Sequence, residues 1–186
     1  MKTVVSSLFG NIGGLNCWEH TQPLLRYYEY EQDVDIHVAS WPAIWDLPDT
    51  VKDKWNYHVS GTASRNLSQV MALEGACCVL VCSQIMTEKN AAKNGVKDWD
   101  YPTLPGGGFS QIFGFDAEPL CTPPPAGEEA IISADVDLEI GKLKAKQFLD
   151  VVGHYSRPDL LSLRVNTHPS RPVHFNEPQE EKYVIL

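Results

Sequence analysis

Cys17 is the residue of this sequence with the strongest case for covalent chemistry. It stands in NIGGLNCWEHTQPLLRYYEYEQ, residues 11–32, between a glycine-punctuated apolar run and a segment with helical spacing. A thiol at such a strand-to-helix turn lies beside the first amides of the helix, which favour a thiolate and can receive an oxyanion. Gly13 and Gly14 would let another backbone approach the site closely. The position suits a nucleophile, but a thiol also needs a base within hydrogen-bond reach, and a structural cysteine is the alternative.

The other cysteines are predicted to be small buried hydrophobic residues: Cys77, Cys78, Cys82 and Cys121. An odd set of cysteines, three of them in one apolar run, is unlike a secreted disulfide framework and indicates a reducing compartment, which we take to be the cytoplasm. No metal site is predicted, because the histidines are scattered and no cysteine pair has the spacing of a zinc knuckle.

Two strands are predicted to lead into Cys17. Residues 3–8 and 12–16 have strand-like patterns, and a turn at Gly10-Asn11 joins them. The second strand runs directly into the cysteine. The thiol is therefore expected at the C-terminal end of a strand.

A helix and a further strand are predicted to follow. Thr21 as a possible N-cap and Pro23 near the first helical position predict a helix over residues 22–31. Residues 35–41, DIHVASW, predict a short buried strand. The resulting unit is of the βαβ kind, which indicates an α/β fold.

The rest of the chain continues this alternation in part. The pattern predicts a helix over residues 63–76, a strand over 77–83, a loop over 84–108, a hairpin around Phe115-Asp116, a strand over 129–138 and a helix or turn over 138–152. Beyond Val165 the sequence has several prolines, no periodicity and a charged end, which predicts an exposed tail.

Length and charge restrict the class of protein. With 186 residues and 43% hydrophobic content, the chain can bury one sizeable core, so a single domain is expected. A net charge of −9 is unlike the electrostatic pattern of proteins that bind nucleic acid or anionic lipid. Polar residues and glycines interrupt the apolar residues near the N-terminus, and no segment approaches a membrane span of about 20 apolar residues. A small substrate or a protein partner fits better.

The segment around Cys17 resembles the cysteine motif of nitrilases in the carbon–nitrogen hydrolase superfamily. The match begins with GGLNCWEHTQPLLRYY and continues, in the order of that family, with HVASWP, SQVMALEGACCVLVCSQ, PGGGFSQIFGFDAEPL and GHYSRPDLLSL. The resemblance implies part of a four-layer α-β-β-α sandwich that lacks its N-terminal strands and helices. Residues 1–165 would form the C-terminal portion of the domain, and residues 166–186 an exposed tail.

The resemblance also implies a reaction, with no cofactor. Cys17 matches the nucleophile of a Glu-Lys-Cys triad. In the family the glutamate takes the thiol proton, the thiolate attacks the nitrile carbon, and the lysine stabilises charge while a thioimidate forms. Two waters then release ammonia and a carboxylic acid. If the tetrahedral intermediate expels the thiolate instead, the product is an amide, as in the hydration of cyanide to formamide.

The sequence departs from the family in one respect. The triad glutamate and lysine lie upstream of the cysteine in the family, on segments that would precede Met1 here, and Lys2, Glu19 and Glu74 do not match their positions. We therefore expect the isolated chain to be a fragment with little or no activity on small nitriles. A non-catalytic fragment with only an assembly role is the alternative, because family members form dimers and filaments and a homo-oligomer is expected.

Further residues are assigned to the neighbourhood of the site. Trp18, Trp41 and Pro42 match segments that line or border the substrate pocket in the family, with packing in the core as the alternative. Structural roles near the site are predicted for a second set: Glu19, His20, Glu74, His154, Arg157 and Asp159.

Overall fold

A five-stranded mixed sheet carries the strand that leads to Cys17. The computed structural model describes residues 3–98 and 103–166. Its strands are β1 (Val4–Ser7), β2 (Gly10–Asn16), β3 (Ile36–Trp41), β4 (Cys78–Ser83) and β7 (Gln111–Phe113). They lie side by side in the order β1-β2-β3-β4-β7. The three central strands are parallel, and both edge strands are antiparallel to their neighbours. The predicted α/β fold is confirmed.

Three helices pack around this sheet: α1 (Pro23–Tyr30), α2 (Gly61–Gly75) and α4 (Leu138–Phe148). Each begins where the sequence provides a start signal. Proline occupies the start of α1, the Ser60 side chain accepts a hydrogen bond from the Ala63 amide at 3.1 Å, and the Asp137 side chain caps α4. The long loop predicted over residues 84–108 contains a short helix and a two-stranded sheet: α3 (Glu88–Ala91), β5 (Ile85–Met86) and β6 (Gly106–Gly107).

The main core lies between one face of the sheet and the helices α1 and α2. Alternation along β3 turns His37, Ala39 and Trp41 toward this core. The buried apolar members are Val4, Tyr30, Val34, Ala39, Trp41, Met71, Ala72, Cys77, Val79, Val81, Phe109, Phe113 and Ala117. The side chains that border the cysteine turn are therefore anchored in the best-packed part of the molecule.

The opposite face of the sheet is only partly covered. A smaller cluster around Cys78, Ile112 and Phe115 packs against it, with contributions from α4. Farther along the central strands, Val38 is 38% exposed and Cys82 is exposed. The prediction that Cys82 is a buried hydrophobic residue is therefore wrong, since its strand position turns it to the open part of this face.

The strand predicted over residues 129–138 is also wrong. The segment has the expected alternation, because Ile132 and Ala134 pack against the second cluster while Ile131 is fully exposed. However, residues 129–137 form no regular strand. Alternating hydrophobicity favours a strand only where a neighbouring strand offers its backbone for pairing.

Some predictions fall outside the described residues. Nearly all of the predicted tail, from residue 167 onward, lies there, as do residues 99–102 of the loop. Within residues 3–98 and 103–166, no helix is long and apolar enough to cross a lipid bilayer.

Replacing Met71 with alanine tests the packing of α2 on the sheet. Met71 is fully buried, and the Tyr30 hydroxyl lies 3.2 Å from its sulfur. We expect Met71→Ala to lower the free energy of unfolding by about 2–5 kcal/mol, because the core cannot close over the lost volume. Urea denaturation followed by circular dichroism measures it. Leu73→Ala, two residues along and 45% exposed, is the control and should cost about 0.5 kcal/mol; equal losses would contradict the packing.

Candidate active site

Cys17 has a backbone conformation that residues other than glycine rarely adopt. Asn16, the last residue of β2, is extended, and Cys17 then has a φ of +52°. A short 3-10 helix, Cys17–Thr21, follows and leads through Gln22 into α1. Left-handed backbone costs an L-residue about 1–2 kcal/mol, and such strain concentrates at functional sites. The predicted strand, the turn at Cys17 and the helix are confirmed, but Gln22 rather than Thr21 is the N-cap of α1. The turn predicted at Gly10-Asn11 is wrong by two residues, because the chain turns at Leu8-Phe9 and Gly10 already pairs with Ser7.

Hydrogen bonds from the turn itself and from α1 hold this backbone in place. The Asn16 amide donates to Glu19 Oε2 at 2.8 Å. The Nδ1 atom of His20 lies 2.6 Å from the Cys17 carbonyl oxygen, and Arg26 Nη1 donates to the His20 carbonyl at 2.6 Å. These hydrogen bonds join residues on either side of Cys17 in the sequence, and one of them ties the turn to α1. Together they hold Cys17 at its positive φ.

A chain of buried polar side chains lies beneath the turn. His20, His37 and Glu29 are all fully buried. His20 Nε2 is 3.1 Å from His37 Nε2, and His37 Nδ1 is 2.7 Å from Glu29 Oε2. The His20 ring stacks on Trp41 with their centroids 5.0 Å apart. Burial lowers the pKa of His20 to about 4, so this ring is neutral at pH 7.

An ion pair supports the turn from the other side of α1. Arg26 Nε donates to Glu74 Oε2 at 3.0 Å, and the Tyr30 hydroxyl donates to the same oxygen at 2.9 Å. Burial, followed by the nearby Glu74 charge, raises the pKa of Tyr30. Glu74, predicted near the site, thus reaches the turn through Arg26.

The residues predicted to line a pocket have unequal exposure. The Cys17 side chain is half-buried and packs against the main core. Trp18 is 45% exposed, and its ring lies 5.7 Å from that of His58. Trp41 is buried and donates from its indole nitrogen to Ser68 Oγ at 2.9 Å, while Pro42 is exposed just beyond the end of β3. Trp18 and Pro42 are therefore the two with surface free for contact.

A second predicted group has local partners elsewhere. Arg157 and Asp159 form an exposed ion pair with contacts of 2.8 and 2.6 Å. The His154 ring lies 4.7 Å from the Tyr155 ring, and its Nε2 is 3.4 Å from the Phe148 carbonyl oxygen. These contacts involve none of the side chains that hold the cysteine turn.

The roles of Glu29, His37 and Arg26 were not predicted from the sequence, because no local pattern joins these residues. In the structure Gly13 pairs with His37 across the β2–β3 ladder. A Cβ at Gly13 would lie 2.7 Å from Glu29 Oε2, so the glycine makes room for a carboxylate rather than for a backbone. At Gly14 a Cβ would lie 3.2 Å from the Val38 carbonyl oxygen, which fits the expected close backbone approach.

Two substitutions at Cys17 that both remove the thiol should differ in stability. At a φ of +52°, glycine avoids the strain that alanine keeps. We expect Cys17→Gly to exceed Cys17→Ala by about 1 kcal/mol in free energy of unfolding. Leu143, exposed within α4, is the control, because there glycine should be less stable than alanine by about 1 kcal/mol. The same order at both positions would contradict the left-handed turn.

His20 should make the stability of the chain depend on pH. Its pKa is about 4 in the folded protein against 6.5 in the unfolded chain, so the unfolded state binds the proton more readily between these values. Stability is therefore full above about pH 6.5 and is lost as pH falls toward 4, by up to about 3 kcal/mol. Denaturant titrations from pH 4.5 to 7.5 measure it.

Two variants separate His20 from other groups that titrate in the same pH range. His20→Asn, which keeps a donor near the Cys17 carbonyl, should flatten this dependence. His58→Asn should not, because His58 is exposed. An unchanged slope in His20→Asn would exclude His20 as the source.

Comparison with known proteins shows the family of this chain. The profile of the carbon-nitrogen hydrolase family matches residues 2–144. A nitrilase of Penicillium rubens is 63% identical over 181 residues, which make up 97% of this chain and 55% of that protein. An arylacetonitrilase of Aspergillus kawachii is 38% identical over 95% of this chain and 52% of its own length. A cyanide hydratase of Armillaria gallica is 36% identical over 96% of this chain and 49% of its own length.

The fold agrees with these matches. A carbon-nitrogen hydrolase from Helicobacter pylori G27 superposes with a TM-score of 0.59 at 15% identity, over 78% of this chain and 46% of that one. The chain spans about half the length of the curated relatives it matches. The resemblance found in the cysteine motif is confirmed, and the chain belongs to the carbon-nitrogen hydrolase family.

Proposed function

We propose that Cys17 is the nucleophile of a nitrilase that converts small organic nitriles to carboxylic acids and ammonia. The observation that carries this proposal is the left-handed turn at Cys17, which ends a central parallel strand in a member of the carbon-nitrogen hydrolase family. Relatives named nitrilase and arylacetonitrilase support the choice of a nitrile. Trp18, exposed beside the cysteine, would contact the organic group of the substrate.

The reaction balances with two waters. The Cys17 thiolate adds to the nitrile carbon, and the nitrogen takes up a proton to give a thioimidate. A first water adds to that carbon, ammonia leaves, and a thioester remains on the sulfur. A second water displaces the sulfur and gives the acid, so the enzyme is regenerated. The turn contributes by holding the sulfur at one place through both additions.

The general base and the lysine of this mechanism would come from outside the present sequence. Among residues 3–98 and 103–166, no side chain forms a hydrogen bond with the Cys17 thiol. The relatives are about twice as long as the region they share with this chain. We infer that the chain is the C-terminal portion of the catalytic domain and that alone it has little or no activity, since members of such a triad act as a unit.

Hydration to an amide is the second candidate. A relative named cyanide hydratase matches nearly the whole chain. The tetrahedral intermediate formed by the first water decides the product, because loss of ammonia leads to acid and loss of the thiolate leads to amide. The greater identity of the relative named nitrilase favours the acid.

Two further features belong to the proposal. The partly open sheet face and the exposed apolar side chains on α4 suit contact with further protein, either the other portion of the domain or a second subunit of a homo-oligomer. Five unpaired cysteines suit the reducing cytoplasm. If only these features held and no chemistry occurred, the chain would have an assembly role alone.

A chimera tests the activity. The 181 matched residues of the Penicillium rubens relative are replaced by this chain, which restores the remaining portion of a complete protein. With phenylacetonitrile or benzonitrile we expect ammonia and acid in equal amounts, at a rate within about tenfold of the parent. Cys17→Ala should reduce the rate by about a thousandfold or more. Cys82→Ala, which removes the exposed thiol of β4, should not.

The outcomes separate the alternatives. If the main product is the amide, or formamide when cyanide is the substrate, the activity is hydration and not acid formation. A chimera that melts cooperatively like the parent, but releases no ammonia from nitriles that the parent hydrolyses, would contradict catalysis. Retained activity in Cys17→Ala would contradict the assignment of the nucleophile.

A further inference from the structure

We propose that His20, His37 and Glu29 form a buried, net-neutral hydrogen-bond chain that positions Cys17, with the Cys17 carbonyl fixing the tautomers of both histidines and the last proton residing on Glu29. In this role the three are positioning residues. Their effect on nitrile chemistry rests on the proposed function, whereas the proton arrangement does not.

The direction of the chain is set at Cys17. A backbone carbonyl can only accept, so the His20 nitrogen 2.6 Å away, Nδ1, must carry a proton. The ring is neutral at pH 7, because burial lowers its pKa to about 4. A neutral imidazole has one N–H, and Nε2 of His20 is therefore an acceptor.

The second histidine must then donate. His37 Nε2 lies 3.1 Å from the His20 acceptor, so this nitrogen carries a proton. At the other side of the ring, Nδ1 lies 2.7 Å from Glu29 Oε2, which requires one more proton between them. Whether that proton resides on the ring or on the carboxyl, the pair has no net charge.

Burial decides where the last proton resides. His37 and Glu29 are both fully buried, and charge separation is costly in such surroundings. Glu29 Oε1 has no hydrogen-bond partner in the described part of the chain, which would leave an ionised carboxylate half unpaired. The neutral pair, with Glu29 donating its O–H to His37 Nδ1, avoids the charge separation and leaves an uncharged carbonyl oxygen, rather than half of a carboxylate, without a partner in the described part of the chain.

Within residues 3–98 and 103–166, the other side chains around His20 form their contacts elsewhere than at its Nε2. Arg26 donates to the His20 backbone carbonyl, and Glu19 accepts from the Asn16 amide. Trp41 stacks on the ring face. Gly13 leaves the space that the Glu29 carboxyl occupies. The chain therefore connects α1 and β3 directly to the carbonyl of the strained residue.

Nitrogen-15 spectra of the histidines test the proton arrangement on the chain as it is, without any nitrile. At pH 7 we expect His20 to be protonated at Nδ1 only and His37 at Nε2 only, with assignment by His20→Asn and His37→Asn. A proton at Nε2 of His20 would overturn the direction of the chain. A doubly protonated His37 would overturn the neutral pair.

Alkylation of Cys17 by iodoacetamide tests the positioning, with the exposed Cys82 of the same molecule as the reference. Glu29→Gln, whose amide can donate to His37, should keep the ratio of Cys17 to Cys82 rates within about twofold. Glu29→Leu, which has similar size but no donor, should change the ratio by about tenfold, the equivalent of one lost hydrogen bond.

A purely structural role predicts a different pattern. In that case Glu29→Leu lowers the melting temperature but leaves the rate ratio unchanged, which would overturn positioning. The wild-type spectrum needs no variant, so the test stands even where Glu29→Leu does not fold. An inactive chimera with the expected spectra and rates would contradict only the proposed function.

Discussion

The hydrogen bond between the His20 ring and the Cys17 carbonyl is the contact on which the site depends. It spans 2.6 Å and closes the turn in which Cys17 has a φ of +52°. This bond opposes relaxation of Cys17 to an ordinary backbone conformation, which the strain at that residue favours. Because the ring is itself held by Trp41 and His37, the position of the thiol follows from the packing of the main core.

The buried hydrogen-bond chain beneath Cys17 costs free energy, because its polar groups are removed from water. Two imidazoles and a carboxyl group occupy fully buried positions where apolar side chains would be simpler to accommodate. A buried polar chain of this kind stabilises a single arrangement only if its members are satisfied. The ring nitrogens of both histidines and Glu29 Oε2 have partners, and Glu29 Oε1 has none among the residues that the structure describes. The benefit of the chain is direction: unlike apolar packing, hydrogen bonds fix the orientation of the groups that they join.

Local signals in the sequence predicted the framework well. The βαβ unit around Cys17 follows from apolar runs, Pro23 and short spacing, all of which act within a few residues. The strand predicted over residues 129–138 failed because strand formation depends on a partner that the segment itself does not encode. The prediction that Cys82 is buried was wrong for a related reason. Alternation shows which residues share a face of a strand, but not which face the rest of the chain will cover.

The support of the thiol could not be predicted in the same way, because its members are far apart in sequence but adjacent in the fold. His20 lies in the turn, Glu29 on the inner side of α1, and His37 on β3 opposite Gly13. The parallel pairing of β2 with β3 brings them together, and only the register of that pair places His37 between the other two. All elements that hold Cys17 thus lie between residues 10 and 75, whereas no group that could accept the thiol proton bonds to it within the described residues. The geometry of the turn at Cys17 is therefore built by one continuous stretch of the chain, through contacts between its neighbouring elements.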